Sequence, residues 1–204
     1  GLSAILGAIF PIWVVLISLF RGEKLARLSI LGMLICFGGV CIVFSEHLKD
    51  FLRPDFRFGI LLSLTATFTW AFGMLYTKKK AASFNPYFSL GLQMLISSIF
   101  LFSVIGATGA SIPLDEIPAV SWWSIAYLVI VGSLLTFAAF IYALQNLPAE
   151  INSIYAYINP IVAVLLGALL FGEPLTFSII LGGIILLIGL YAVNYSLRKQ
   201  KNKS

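Results

Sequence analysis

Seven runs of apolar residues follow one another along the chain, at about 2–20, 28–45, 58–77, 86–105, 122–144, 151–171 and 175–195. Charged residues are confined to the short stretches between them. Each run is near the ~20 residues that cross a bilayer as helix. In hydrocarbon every backbone polar group must be satisfied within its own segment, so the runs predict helices rather than an open sheet. No connection is long enough for a soluble domain. The expected fold is therefore an all-α integral membrane protein, with seven transmembrane helices in one bundle.

Composition agrees with that reading. The chain has 204 residues, 60% of them hydrophobic and 10% charged, with a mean hydropathy of +1.03. A chain this apolar cannot cover itself with polar surface in water. The net charge of +5 would suggest nucleic acid in a soluble protein, but here its distribution among the loops carries the information. If the spans alternate, one side holds Arg21, Lys24, Arg27, Lys78, Lys79, Lys80, Arg198, Lys199, Lys201 and Lys203, against Glu23 and Glu150 alone. The other side holds Lys49, Arg53 and Arg57 against Glu46, Asp50, Asp55, Asp115, Glu116 and Glu173. Positively charged loops stay inside, so the first side is expected to be cytoplasmic, and with it the C-terminus. Trp122 and Trp123 at one end of the fifth span, and Tyr191 and Tyr195 at the other end of the seventh, suit the two aromatic belts.

Chemistry-bearing patterns are sparse. Cys36 and Cys41 are five residues apart within one span, so they face different directions and suit packing better than a bridge or a metal pair. His47 lies in a loop without Cys, His or carboxylate partners at ligand spacing, and no phosphate-binding loop, nucleophile elbow or metal signature occurs. No catalytic residues, metal or cofactor are expected, and no nucleic-acid partner. The start lacks the charged region and cleavage site of a signal peptide, and Gly1 in place of Met suggests a segment upstream.

One passage occurs twice. FPIWVVLISLFRGEKL ends at Leu25, and NPIVAVLLGALLFGEPL ends at Leu175. A shift of 150 positions lays Gly22-Glu23 on Gly172-Glu173, Leu25 on Leu175, Gly32 on Gly182 and Gly39 on Gly189, while Pro11 falls one residue off Pro160. An odd number of crossings separates the copies, so they should run in opposite directions. This explains why only the first copy keeps the basic residues Arg21, Lys24 and Arg27. Inverted repeats are the pattern of alternating-access transporters, with a substrate site near the bilayer midplane.

The stretch YALQNLPAEINSIYAYINPIVAVLLGALLFGEPLTFSIILGGIILLIGLYAV, together with LTATFTWAFGMLYTKKK, resembles the EamA-like branch of the drug/metabolite transporter superfamily. The resemblance implies a ten-helix protein of two five-helix repeats. Residues 1–45 would then be the last two helices of the first repeat, 46–57 an outer linker, 58–196 the complete second repeat and 197–204 a basic cytoplasmic tail. Three N-terminal helices, which would supply half of a central cavity, are expected to belong to the same parent protein.

Candidate site residues come from polarity at mid-depth. Pro11 and Pro160 each remove a helical N–H inside a span, toward Gly7 and Ala156, and matched interruptions in two repeats point to a binding site; a packing kink is the alternative. Gln93 and Asn159 are polar groups that hydrocarbon tolerates poorly without a partner, so they should face a cavity. Asn152, Tyr155 and Asn159 fall on one stripe of the sixth span. Thr65 and Thr69 trace a face of the third with Trp70 beside them, although threonines can instead bond back to their own helix. Gly22, Glu23, Gly172 and Glu173 read as structural turns, a glycine ending one helix and a carboxylate opening the next. No charged residue lies inside a span, so neither a proton relay nor a counter-ion for a charged substrate is visible.

These readings converge on an inner-membrane, multi-pass carrier for a small neutral or zwitterionic metabolite, amino-acid-like or drug-like, with export or facilitated diffusion suggested by the resemblance. Its partners would be that small molecule, the lipid bilayer and the missing helices of the parent, and a homodimer is compatible with the pattern. A non-transporting membrane scaffold is the competing class, in which the mid-depth polar residues would be dispensable.

Overall fold

The computed structural model describes residues 2–80, 83–109, 112–113, 116–172 and 174–201. Helix dominates, and no strand occurs among the described residues. The first span is two helices, α1 (Leu2–Gly7) and α2 (Phe10–Phe20), and the second is α3 (Arg27–Val43). Two 3₁₀ segments, Ser45–Leu52 and Pro54–Phe56, make the connection to α4 (Arg57–Lys80), which is followed by α5 (Pro86–Thr108). The fifth span combines α6 (Ala119–Tyr127), a π-helical stretch Leu128–Leu135 and α7 (Thr136–Asn146). The sixth is α8 (Ala149–Asn152) with α9 (Tyr155–Phe171), and the seventh is α10 (Phe177–Lys201).

Six of these helical stretches are long and apolar enough to cross a membrane. The run beginning at Arg27 makes a seventh when α3 is counted with Ser45–Leu52, which leaves it at a bend of 88°. The run boundaries expected from hydropathy thus reappear within a few residues. Local chemistry explains where helices stop. Asn85 caps α5 by accepting from the N–H groups of Tyr87 (3.0 Å) and Phe88 (3.3 Å), Pro86 follows at the first helical position, and Gly109 closes the far end at φ 66°. At the end of α2, Glu23 N–H donates to Ser18 O (3.0 Å) and Gly22 N–H to Leu19 O (2.9 Å), with Gly22 at φ 77°. That pair of bonds is a Schellman motif, and only glycine adopts its left-handed residue cheaply.

Contacts divide the chain into two units rather than the single bundle the run pattern suggested: residues 1–76 with 148–204, and residues 77–147. The first unit is organised around α3 and α10. Its core gathers Ile5, Ala8 and Val15 from the first span, Met33, Cys36 and Val40 from α3, Tyr157 from α9, and Leu186 and Val193 from α10. Glycines let the two helices touch at the backbone. A Cβ added at Gly39 would lie 2.8 Å from Gly182 O, and one added at Gly32 would lie 2.9 Å from Gly189 O. Residue numbers rise on one helix as they fall on the other, so α3 and α10 are antiparallel.

These contacts also exchange under the 150-residue shift. Gly32 against Gly189 becomes Gly182 against Gly39, and Gly32 against Val193 becomes Gly182 against Val43; both members of each pair are present. Cys36 and Leu186 map onto each other, and Cys36 Sγ lies 3.6 Å from Leu186 O. The crossing therefore has a pseudo-two-fold axis through this pair, perpendicular to two membrane-crossing helices and so in the plane of the membrane.

The second unit holds the end of α4 with α5, α6 and α7. Lys78 Nζ donates to the carbonyls of Leu144 (3.3 Å) and Leu147 at the end of α7. Those carbonyls lack helical N–H partners and carry the negative end of the helix dipole, so an ammonium group suits them. The π-helical stretch is not foreshadowed by the apolar sequence LVIVGSLL. There Thr136 Oγ1 donates five residues back, to Val131 O (2.7 Å). A uniformly apolar window has no polar face whose spacing could reveal a widened turn.

Candidate functional site

Both repeat copies are interrupted, at different places. The first span breaks at Ala8–Ile9, two residues before Pro11, and Pro11 is fully buried. Its missing N–H leaves the carbonyl of Gly7 without the usual helical partner, which accounts for a break at this point. The sixth span breaks instead at Ser153–Ile154, and α9 runs on through Pro160. Here the buried Ser153 donates its hydroxyl to Glu150 O (2.7 Å), a local bond that competes with helix continuation.

Between these elements the first unit forms an open cavity of about 550 Å³. Gly7 and Phe10 of the first span, Phe44 at the end of α3, Thr67 and Trp70 of α4, and the α9 residues Tyr155, Asn159 and Pro160 contribute to its wall. Aromatic rings supply much of the lining. Trp70 Nε1 donates to Tyr155 OH (3.0 Å), and the Tyr155 ring stands 5.8 Å from that of Phe10 at 48°. Outside the wall's immediate contacts, Trp13 and Phe68 pack edge to face at 5.3 Å. Asn159 differs from these neighbours, because its amide has no hydrogen-bond partner among the described residues although it lies inside a span. No Asp, Glu, Lys or Arg is among the described lining residues.

The sequence-derived candidates separate on this geometry. Trp70, Tyr155, Asn159 and Pro160 come together at the cavity. Thr65 and Thr69 are exposed and bond back to their own helix, Thr65 Oγ1 to Leu61 O (2.8 Å) and Thr69 Oγ1 to Thr65 O (2.9 Å). The α4 face that lines the cavity is instead Ala66, Thr67 and Trp70. Thr67 escaped notice because a threonine pattern reveals a face but not which way that face is turned. Asn152 lies on the short α8, buried, with its Nδ2 at 3.8 Å from Met74 Sδ. Gln93 is exposed on α5, in the second unit.

The turn residues occupy their turns. Gly22 and Gly172 both have left-handed backbones, at φ 77° and 67°. Glu23 takes part through its N–H and lies 3.9 Å from Arg21, an exposed pair of small energetic weight. It stands three residues ahead of Ala26, the cap of α3, so it does not serve that helix's first turn as the dipole argument expected. Glu173 lies outside the described residues. Cys36 and Cys41 are both free thiols, and no group of three or more metal-ligating side chains occurs among the described residues.

Comparison with known proteins adds the family. The chain is 29% identical over 178 residues to the uncharacterized inner membrane transporter YedA of Escherichia coli (strain K12), covering 86% of this chain and 56% of that protein. It is 24% identical over 196 residues to the uncharacterized transporter YvbV of Bacillus subtilis (strain 168), covering 90% and 59% respectively. An uncharacterized transporter of Archaeoglobus fulgidus is 25% identical over 198 residues, with 95% and 67% covered. The chain thus spans less than two thirds of the length of YedA and YvbV. Residues 57–195 match the EamA-like transporter family. With its apolar helical spans and with that match covering most of its length, this multi-pass membrane chain belongs to the EamA-like transporter family.

Proposed function

We propose that the parent protein carries a small neutral or zwitterionic, partly apolar metabolite across a bacterial-type inner membrane by alternating access, as an exporter or facilitator. The observation that carries this reading is the unpartnered Asn159 amide in an aromatic, uncharged cavity beside a broken span. Asn159 is exposed at this open wall, so its amide is free to bond an incoming group, and a substrate with one polar edge and an apolar body would use it. The cavity's volume of about 550 Å³ is in the range of small-molecule sites. Similarity to YedA, an uncharacterized inner membrane transporter, supports the location and a transport role.

The family match over 57–195 supports reading 58–196 as the complete second repeat and 1–45 as the end of the first. The antiparallel, exchange-symmetric crossing of α3 with α10 suits two inverted repeats that rock about a central site. The excess of Lys and Arg on one side supports a cytoplasmic C-terminus.

The test is transport by the full-length parent in proteoliposomes. Asn159→Leu should weaken apparent affinity by about 5- to 30-fold, the equivalent of a hydrogen bond worth ~1–2 kcal/mol in a membrane interior. The variant should fold, since leucine suits a span. Absence of transport by the unsubstituted parent would favour the scaffold class instead, and unchanged transport in the variant would reject Asn159 as a substrate contact.

A further inference from the structure

We propose that Phe44 is the barrier between the cavity holding Asn159 and a second, smaller cavity that serves as its vestibule. The proposal rests on reading the larger cavity as the substrate site. The smaller one, of about 290 Å³, is walled by Glu46 and His47 of the connection after α3, by Val164 of α9, and by Pro174 and Thr176 of the turn into α10. The two walls share one residue, Phe44. On α9 they meet at adjacent positions, with Ala163 lining the larger cavity and Val164 the smaller. The two spaces therefore lie on neighbouring faces of α9 and have Phe44 as a common wall.

Phe44 is also placed to move. It stands at the 88° bend between α3 and Ser45–Leu52, with φ −107° and ψ 29°, outside the helical region. Rotation about its side-chain torsions swings the ring without disturbing α3, whose last residue is Val43. His47 holds the closed position from the vestibule side. Its backbone N–H donates to Phe44 O (2.9 Å), and its ring packs edge to face on the phenyl at 6.4 Å. His47 is thus a positioning residue for the barrier.

Chemistry changes across the phenyl ring. The vestibule carries a carboxylate, an imidazole and a hydroxyl, whereas the larger cavity has no charged lining residue among those described. A substrate passing Phe44 would leave a polar mouth for a more apolar, aromatic site. The ring's bulk would set the largest substrate cross-section admitted.

The experiment measures accessibility, which does not require transport. In a Cys-free parent protein, cysteine is placed at Ala163 for the cavity or at Thr176 for the vestibule. A membrane-impermeant maleimide is then applied to vesicles of each orientation. The side from which Thr176→Cys reacts identifies the vestibule face. From that face Ala163→Cys should react roughly ten-fold more slowly than Thr176→Cys, as expected where the open state is a minor population. Adding Phe44→Ala should remove most of that difference and leave Thr176→Cys unchanged, and Phe44→Leu should retain most of it. Equal rates at both positions with Phe44 present would overturn the proposal. So would an undiminished difference in Phe44→Ala protein that elutes as a folded species; should Phe44→Ala not fold, Phe44→Val is held to the same criterion. Because acceleration is read without substrate, it supports the barrier whether or not Asn159→Leu alters transport, and a failure of the substrate assignment is detected separately.

Discussion

Two pairs of neighbouring glycines allow the α3–α10 crossing to be tested against its own background. Alanine at Gly39 would place its Cβ 2.8 Å from Gly182 O and Leu186 N, and alanine at Gly182 would meet Gly39 O at 2.6 Å and Val43 N at 2.7 Å. By contrast, a Cβ at Gly38 or Gly183 meets nothing within 4 Å. Carbon contacts are comfortable at ~3.5 Å or more, so alanine at either crowded site must part the helices by about 0.5–1 Å, a gap that forfeits a quarter to a half of each contact's attraction. Overpacking of this kind costs ~1–3 kcal/mol. Replacing a helical glycine by alanine gains up to ~1 kcal/mol in propensity, but that gain is common to both members of a pair and cancels in the comparison. Thermal denaturation of the purified protein, followed by size-exclusion of the fraction remaining folded, measures the difference. At ~2–4 °C per kcal/mol for a chain of this size, Gly39→Ala should melt about 2–12 °C below Gly38→Ala, and Gly182→Ala similarly below Gly183→Ala. The double variant Gly39→Ala/Gly182→Ala should cost less than the sum of the singles, because once the helices part the second methyl meets a wider gap. If each crowded variant melts together with its open neighbour, the close crossing and its symmetry are wrong.

Other expectations follow from single contacts. Lys78→Met keeps the stem but removes the ammonium from the carbonyls of Leu144 and Leu147, so the folded protein should lose ~1.5–3 kcal/mol, seen as earlier melting with no change in helix content. Trp70→Phe removes the indole donor to Tyr155 OH while retaining an aromatic wall; a loss of ~1 kcal/mol and a changed substrate affinity are expected, and unaltered tryptophan-to-substrate quenching in an otherwise wild-type protein would argue against Trp70 at the site. Cysteines at Ser83 and Ala110 in a Cys-free protein should label from opposite faces of intact cells, and equal labelling of both from outside would reject the orientation drawn from the Lys and Arg excess.

Much of the architecture was readable because hydrocarbon enforces it. A backbone crossing ~30 Å of apolar medium must be helical and about 20 residues long, so runs of apolar residues marked the spans within a few positions of Ser3–Phe20, Pro86–Thr108 and Ala119–Asn146. The repeat was readable for a different reason: Gly32, Gly39, Gly182 and Gly189 are fixed by backbone contact, and no larger residue fits where they meet. Facing was harder. In water a polar stripe points outward, but a threonine in a span can satisfy its hydroxyl on its own helix and point anywhere, as Thr65 and Thr69 do. The rule that a polar group in a span needs a partner did not separate Asn159, which lines the cavity, from Gln93, which is exposed on α5. Phe44 was not legible, since its position depends on the bend that follows α3, and nothing in a run of apolar residues announces an 88° turn.

The pair Cys36 and Leu186, lying on the symmetry axis, has a consequence for what the duplicated arrangement permits. In a true homodimer, a side chain on the two-fold axis packs against its own copy, so both partners must have the same size. Two small residues there would leave a void and two large ones would collide. Joining both copies in one polypeptide removes that constraint, and here a cysteine, whose thiol reaches the Leu186 carbonyl, stands at the position equivalent to a leucine, both fully buried. The join between the halves can therefore be filled by unequal partners, and a substitution at residue 36 alters one side of the crossing only, leaving the other free to compensate.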